Sequence, residues 1–418
     1  MALVLAFGAV LLLSVSLSGL AARTVLSTAL LFLLAGALLG QGGFGVVHIP
    51  EGAATTLADL ALYTVLFTDG QRANLAALRE GWRLSGRALG LGMPLIMVGV
   101  AVPAHFLAGL DWPTALLVGA ILAPTDPVFA SIIVGRKDIP LRLRRLLNVE
   151  SGLNDGLALP FVLIFIAVAK HQSPHPGQLV LELVLGLGLG IAITALVTLA
   201  WRLPLLSAEP RLQPLGPLAI AVVLYAACDL THANPYLGAF AAGSALATLD
   251  RTAARHFHPF GDLLSELTKF AALLVFGALI TPDRISDLSW GAWLVALLAI
   301  FVVRPASILL SMLRTRLTAT ERAAAAWFGP KGFASAVYGL HALHAGISGG
   351  QAVFDLVAIT IALSVVLHST TDVPFAKLLR MPPPDNLPPG EGEAGTAERD
   401  AEQRRQDQLG GPGRRRTP

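Results

Sequence analysis

Two aspartates lie inside long apolar runs of the sequence, at positions 126 and 155, and both adjoin other side chains that carry oxygen. The first run, GAILAPTDPVFASIIV, contains Thr125 and Asp126; the second, NVESGLNDGLALPFVLIF, contains Ser151, Asn154 and Asp155. Ionisable groups at membrane depth are costly, so each is a candidate for a functional site. Oxygen ligands suit hard cations. The pattern therefore predicts an all-oxygen cation site that includes both carboxylates.

Prolines flank the first aspartate. Pro127 lacks an amide donor and displaces a preceding carbonyl, so the helix through Pro124 and Asp126 is expected to break there. A break at membrane depth is tolerated where it lines a cavity or is buried in protein, and transporters hold ions at such breaks. The alternatives are a proline kink with a locally bonded Asp126 and, for Asn154 and Asp155, an N-terminal capping cluster.

A second break is predicted in AAAAWFGPKGFASAVYGL, at the residues Gly329-Pro330-Lys331-Gly332. The two interrupted spans, the fifth and twelfth, have opposite predicted directions, as an inverted repeat requires. A broken helix exposes both donors and acceptors. We expect Asp126 to neutralise donors and Lys331 to neutralise carbonyls as a structural counter-charge, not as an ion ligand.

Three further ionisable residues belong to this hypothesis. Arg304 lies deep in AIFVVRPASILL, where an unpaired arginine is prohibitive, and Glu150 is its predicted carboxylate partner. Snorkelling of Arg304 to the inner surface is the alternative. Asp69, in LFTDG, ends the third span and is expected to guide cations from the cytoplasm; a simple Asp-Gly turn is the alternative.

The remaining ionisable residues of the spans are predicted to have structural roles. Glu266 and Lys269 are three residues apart and are expected to pair locally. The others lie close to predicted helix ends, namely Asp59, Glu182, Asp229, Asp355, His341, His344 and His368.

The composition excludes a water-soluble protein. The chain is 54% hydrophobic and 14% charged, with a mean hydropathy of +0.67, whereas soluble proteins are about 25% charged. Its basic residues lie in short connections between apolar runs, which indicates membrane topology and not nucleic-acid binding. The predicted fold is an all-α bundle of about thirteen spans: residues 2–20, 24–42, 52–69, 86–108, 113–134, 150–169, 178–200, 214–231, 235–249, 262–281, 289–312, 321–344 and 350–370.

Basic residues also predict orientation. With the N-terminus outside, the outer connections contain only Lys170 and Arg284, so the C-terminus is expected in the cytoplasm. The run 2–20 is interpreted as a retained spanning helix, not a cleaved signal. The transmembrane domain is predicted to cover 1–371. Residues 372–418 are rich in proline, glycine and charge, which predicts a disordered cytoplasmic tail, with regulation or binding to anionic lipid as alternatives.

These motifs resemble the cation:proton antiporter-1 family, which comprises NhaP-type bacterial antiporters and animal sodium/proton exchangers. The matching pieces are LFTDG (66–70), APTDPVFAS (123–131), ESGLNDGLALPFV (150–162), PYLGAFAAG (235–243), VRP (303–305) and WFGPKG (327–332). The resemblance covers roughly residues 1–370. It implies a homodimer in which a six-helix core moves like an elevator against a dimer domain, and a role in pH homeostasis at the cell membrane.

The resemblance also implies residue roles. Asp126 and Asp155 look like the ion-binding carboxylates, Thr125 and Ser151 look like further oxygen ligands, and Asn154 goes with electroneutral exchange in the family. Glu150 and Arg304 resemble the structural ion pair of the family. Lys331 and Asp69 stand where many members have Arg and Glu.

The expected function is exchange of Na⁺ or K⁺ for H⁺, without enzymatic activity and with no cofactor. Burial makes a bare carboxylate costly, so Asp155, helped by Asp126, is expected to hold either protons or one cation. Three rivals are a cation channel, a transporter of another small solute and a membrane sensor. A channel requires a continuous lined pore, an anion carrier favours basic groups, and the tail contains no recognisable sensor domain.

Overall fold

A computed structural model describes residues 1–21, 28–49, 52–72, 83–126, 140–170, 176–203, 209 and 211–378. Regular structure in these ranges is entirely helical. The helices in chain order are α1 (Ala2–Ala21), α2 (Thr28–Leu39), α3 (Ala53–Arg72), α4 (Arg83–Phe106), α5 (Trp112–Ile121), α6 (Leu141–Ala169), α7 (Pro176–Ala200), α8 (Leu215–Thr231), α9 (Pro235–Leu249), α10 (Arg251–Ala278), α11 (Pro282–Ser286), α12 (Trp290–Ser311), α13 (Ala319–Trp327), α14 (Phe333–His344) and α15 (Gly350–Leu378).

The outer surface of the bundle is apolar and its interior is partly charged. Leu196 of α7 is 70% exposed, whereas Arg304 of α12 is 2% exposed. In the described ranges, α4 and α12 and the segments Arg142–Ala169, Gly177–Ala200 and Gly350–Thr371 are long and apolar enough to cross a bilayer. Charges inside and leucines outside suit hydrocarbon and not water. The chain is therefore a multi-pass helical membrane protein.

Helix α5 ends before the predicted break. The sequence placed Asp126 in the middle of a span covering 113–134, but α5 stops at Ile121 and residues 122–126 are not helical. Pro124 explains the early end, because a proline disfavours helical geometry at the residue before it. The rest of that predicted span, from Pro127 on, lies outside the described residues. The second interruption separates α13 from α14 at residues 328–332.

Two helices begin well before the predicted apolar spans. Helix α6 starts at Leu141 and not near residue 150, and α10 starts at Arg251 and not near 262. Their first turns are rich in basic side chains, which the hydropathy pattern assigned to connections. Asp155 is consequently fourteen residues (155 − 141) into α6, or about four turns. The alternative of an N-terminal capping cluster at Asn154 and Asp155 is therefore wrong.

Helix α15 extends to Leu378. This is seven residues (378 − 371) beyond the predicted end of the transmembrane domain at 371. Residues 379–418 lie outside the described part of the chain, so a disordered tail there stays a prediction.

Close contact between α3 and α9 holds the end of α3 in place. A Cβ atom on Gly70 of α3 would lie 2.2 Å from the carbonyl oxygen of Phe240. A Cβ atom on Gly243 of α9 would lie 2.1 Å from the carbonyl oxygen of Phe67. Small residues allow helix backbones in membranes to approach this closely. The reciprocal pair fixes the position of Asp69, which lies between Phe67 and Gly70.

Candidate functional site

The two non-helical segments, 122–126 and 328–332, are hydrogen-bonded to each other. The amide of Asp126 donates to the carbonyl oxygen of Pro330 at 3.0 Å. The amide of Phe333 donates to Oδ2 of Asp126 at 3.0 Å, and the Ser335 hydroxyl donates to the Ile121 carbonyl at 2.7 Å. Backbone groups freed by one interruption are thus satisfied by the other, which buried polar groups require.

A charged side chain lies at each of the two helix ends that the interruptions create. Asp126 accepts from the first amide of α14, where a helix carries partial positive charge. The Lys331 Nζ lies 3.5 Å from the carbonyl oxygens of Ala123 and Pro124, just past the end of α5, where the partial charge is negative. Both side chains are buried, Asp126 at 5% and Lys331 at 1% exposure. Each charge therefore opposes the partial charge of the helix end that it meets.

Helix α6 brings the second aspartate to the same place. The Asn154 side chain donates from Nδ2 to Thr125 Oγ1 at 2.9 Å and to the Thr125 carbonyl oxygen at 3.4 Å. Ser151 and Asp155 are buried on the same helix, and Asp155 interacts electrostatically with Asp126. The carboxyl group of Asp155 receives no hydrogen bond from any described residue. The arrangement leaves Asp155 with unused ligand capacity beside a second carboxylate and a hydroxyl.

Arg304 of α12 forms an ion pair with Glu150, which lies on α6 one residue before Ser151. Its Nη2 is 3.2 Å from Oε1 of Glu150, and both side chains are buried. Nη1 also donates to the carbonyl oxygens of Ala325 and Ala326 at 3.2 and 2.8 Å, and Nη2 donates to that of Phe328 at 3.2 Å. Arg304 thus caps the carboxyl end of α13 and does not snorkel to the inner surface.

The side chain of Asp69 is buried and paired, although it lies at the end of α3. Its Oδ1 is 3.1 Å from Nη1 of Arg72, whose Nη2 is 3.0 Å from Oδ1 of Asp262 on α10. Helix α3 continues through Asp69 to Arg72, so the alternative of a simple Asp-Gly turn is wrong. Asp69 also interacts electrostatically with Asp126.

The whole of this assembly lies within a region matched by one protein family. The model of the family described as "Sodium/hydrogen exchanger, transmembrane" matches residues 9–378. The chain belongs to the sodium/hydrogen exchanger family. This exchanger-family chain is 24% identical over 395 residues to a K⁺/H⁺ antiporter NhaP of Alkalimonas amylolytica, covering 92% of the chain and 68% of the relative.

Two further comparisons agree. The exchanger-family chain is 26% identical over 384 residues to a K⁺/H⁺ antiporter NhaP2 of Shewanella sp. strain ANA-3, covering 90% of the chain and 67% of the relative. The structure of the sodium proton antiporter MjNhaP1 from Methanocaldococcus jannaschii at pH 8 aligns with a TM-score of 0.73 at 20% identity. That alignment covers 91% of this chain and 98% of the other, so the two share a fold.

In this exchanger-family chain, two residues of α15 that the sequence analysis did not assign to the site contact the second interruption. The Ser364 hydroxyl accepts from the Lys331 amide at 2.9 Å. The imidazole of His368 lies with Nδ1 2.7 Å from the Ser364 carbonyl oxygen and Nε2 3.2 Å from that of Trp327. His368 is therefore a packing residue, as expected, but one that braces the second interruption. Its four-residue spacing from Ser364 is the only signal that the sequence contains.

Lys269 is another buried residue near the site that the sequence analysis did not assign to it. Its predicted local partner, Glu266, is exposed, whereas Lys269 is 6% exposed, and the two do not form an ion pair. The expectation of a local pair is therefore wrong. Lys269 instead interacts electrostatically with Asp69 and Asp155. No pattern within α10 could reveal this, because both carboxylates come from other helices.

Proposed function

We propose that this exchanger-family chain exchanges one monovalent cation, Na⁺ or K⁺, for protons across the cell membrane by alternating access. The observation that carries the proposal is the hydrogen bond from Asn154, which precedes Asp155 on α6, to Thr125, which precedes Asp126 where the two helix interruptions join. Named relatives that exchange K⁺ or Na⁺ for H⁺ support it.

Burial explains the exchange. A carboxylate at 4% exposure, such as that of Asp155, is unfavourable as a bare charge. Either a proton or a cation relieves it, and binding of one weakens binding of the other by linkage. A neutralised site crosses the membrane, whereas an empty, charged site resists crossing. We assign Asp155 and Asp126 as the shared carboxylates and Thr125, Ser151 and Asn154 as supporting oxygen groups.

The surrounding groups have supporting roles in this proposal. Glu150 and Arg304 hold the site in place as a structural ion pair, Lys331 acts as the counter-charge of the first break, and Asp69 guides cations from the cytoplasm. Asn154 is the residue that goes with electroneutral exchange in the family that the sequence resembles, so we propose that the exchange is electroneutral.

We also propose the arrangement in which this site works. About thirteen spans form inverted repeats, the interrupted helices of the two repeats cross, and the N-terminus is outside with the C-terminus in the cytoplasm. Two copies form a homodimer in the plasma membrane, and residues 372–418 lie in the cytoplasm. The protein would then contribute to pH homeostasis of the cell.

The exchange can be tested directly with proteoliposomes that contain a pH-sensitive dye in their lumen. After a pH gradient is imposed, NaCl or KCl should collapse it, whereas choline chloride should not. Asp155→Asn should abolish this response and remain monodisperse in detergent, because the amide keeps the shape of the side chain but carries no charge. Normal exchange by Asp155→Asn would reject the assigned role. Cation flux that needs no proton movement would indicate a channel instead.

A further inference from the structure

We propose that Lys269 is a tethered competitor of the transported cation: its ammonium compensates the Asp155 carboxylate in the empty site and must withdraw when Na⁺ or K⁺ binds. The inference rests on the proposed exchange function and adds to it a residue that controls cation affinity.

Lys269 projects from α10 into the interior beside the second interruption. Its side chain is 6% exposed, and Nζ lies 5.9 Å from the centroid of the Phe333 ring. Phe333 is the first residue of α14, and its amide is the one that donates to Asp126. A cation within about 6 Å of a ring centroid is attracted to the ring face. The ammonium therefore has a resting position next to the ion site that is not an ion pair.

Several of the other buried charges have partners of their own. Asp69 pairs with Arg72 at 3.1 Å, although it also interacts electrostatically with Lys269, and Glu150 pairs with Arg304 at 3.2 Å. Lys331 lies against the backbone carbonyls that follow α5. In the part of the chain that the structure describes, the Asp155 carboxylate and the Lys269 ammonium form neither an ion pair nor a hydrogen bond.

These two groups have opposite charges and belong to the same site. Lys269 Nζ lies near the Phe333 ring, and the amide of Phe333 donates to Asp126. On the other side, Asn154 precedes Asp155 and donates to Thr125, which precedes Asp126. A buried charge is tolerated when an opposite charge compensates it. Lysine is suited to a movable compensation, because its compact charge sits on a flexible four-carbon stem. A transported cation that binds Asp155 supplies the same charge at the same carboxylate. The two cations cannot both be fully compensated by Asp155, so binding of one opposes binding of the other.

Removal of the tethered charge should tighten cation binding. Lys269→Met keeps an unbranched apolar stem of four heavy atoms but has no charge. At alkaline pH, where few protons compete for Asp155, we expect its half-saturating concentration for NaCl or KCl to fall about tenfold or more, the scale of one charge–charge interaction near a protein site. Lys269→Arg keeps a positive charge and should remain within a fewfold of the wild type. A purely structural role would lower stability or maximal rate without tightening binding.

Two readouts on the full-length protein make the test decisive. The first is the rise in unfolding temperature in detergent as NaCl, KCl or LiCl replaces choline chloride at constant ionic strength, which reports binding without transport. The second is the half-saturating concentration in the proteoliposome assay. Lys170→Met, which removes an exposed lysine, is the matched control and should leave both unchanged. Lys269→Gln replaces Lys269→Met if the latter is not monodisperse.

The outcomes separate the two proposals. No cation-dependent proton flux in the wild type would reject the exchange function. An active wild type with unchanged or weaker cation binding in Lys269→Met would reject only the role of Lys269. Tighter binding in Lys269→Met, retained wild-type affinity in Lys269→Arg and an unaffected Lys170→Met would support the tethered competitor, even if Lys269→Met transports slowly.

Discussion

Oδ2 of Asp126 accepts a hydrogen bond from the amide of Phe333 at 3.0 Å, which connects the carboxylate of one interrupted segment to the first turn of the helix after the other. The same carboxylate is proposed to take part in ion binding. Asp126 therefore has a structural contact and a proposed functional charge, and substitutions can separate the two.

Asp126→Asn should lose exchange and keep most of its stability, because the amide oxygen still accepts from Phe333. Asp126→Ala should lose exchange and also about 1–3 kcal/mol of stability, because a buried amide is left without its acceptor. Thermal unfolding in detergent and the proteoliposome assay measure the two effects. Asp111→Asn, at an exposed residue whose side chain caps no helix, is the control. Equal stability of the two Asp126 variants would contradict the structural part.

Arg304→Met should destabilise the protein by about 3–5 kcal/mol, the scale for removing one partner of a buried ion pair. The loss leaves Glu150 uncompensated and removes the donors of three carbonyl groups at the end of α13. Adding Glu150→Gln to Arg304→Met should recover part of the loss. Thermal unfolding measures both variants, and Arg251→Met, at an exposed arginine, should be neutral. Additive losses in the double variant would argue against the pair.

Gly329→Ala should be strongly destabilising, because its Cβ would lie 1.5 Å from Nη2 of Arg304. The guanidinium cannot move away without losing its carbonyl partners, so we expect a loss of about 1–3 kcal/mol or more. Gly188→Ala is the matched control: Gly188 is exposed in α7, and its added Cβ meets nothing within 4 Å. That control should be neutral or slightly stabilising. A Gly329→Ala protein as stable as the control would show that the segment rearranges freely.

Asn154→Ala and Thr125→Val should each raise the half-saturating cation concentration several-fold, because each removes the 2.9 Å contact that orients the oxygens around Asp155. The half-saturating concentration of the double variant should be no higher than about that of the more impaired single variant, because the effects of two residues that share one interaction are not additive. The proteoliposome assay with titrated NaCl or KCl measures this. Multiplicative effects would mean that the two residues act independently.

The set of site residues could be predicted from the sequence, because charged and amide side chains are rare enough in apolar runs to stand out. Asp126, Asn154 and Arg304 were selected in this way, and the structure brings their surroundings together. The first residues of two helices could not be predicted from the sequence. The basic first turns of α6 and α10 resemble connections in a hydropathy profile, although a helix can continue beyond the hydrocarbon.

Lys269 shows the other limit of sequence reasoning. A glutamate three residues away offered a local partner, yet the helix turns Glu266 outward and Lys269 inward. The carboxylates that Lys269 meets come from α3 and α6, so only the packing of those helices on α10 reveals the relationship. Short-range spacing rules describe surface pairs better than buried charges.

The mutual hydrogen bonds of segments 122–126 and 328–332 have a consequence for protein engineering. A chimera that takes one segment from a homologue and keeps the other would place a foreign backbone against native amides and carbonyls at Asp126, Pro330 and Phe333. Grafts that transfer both segments together preserve the hydrogen bonds between them. Recombination libraries for altered ion preference should therefore exchange the two segments together, although they are far apart in the sequence.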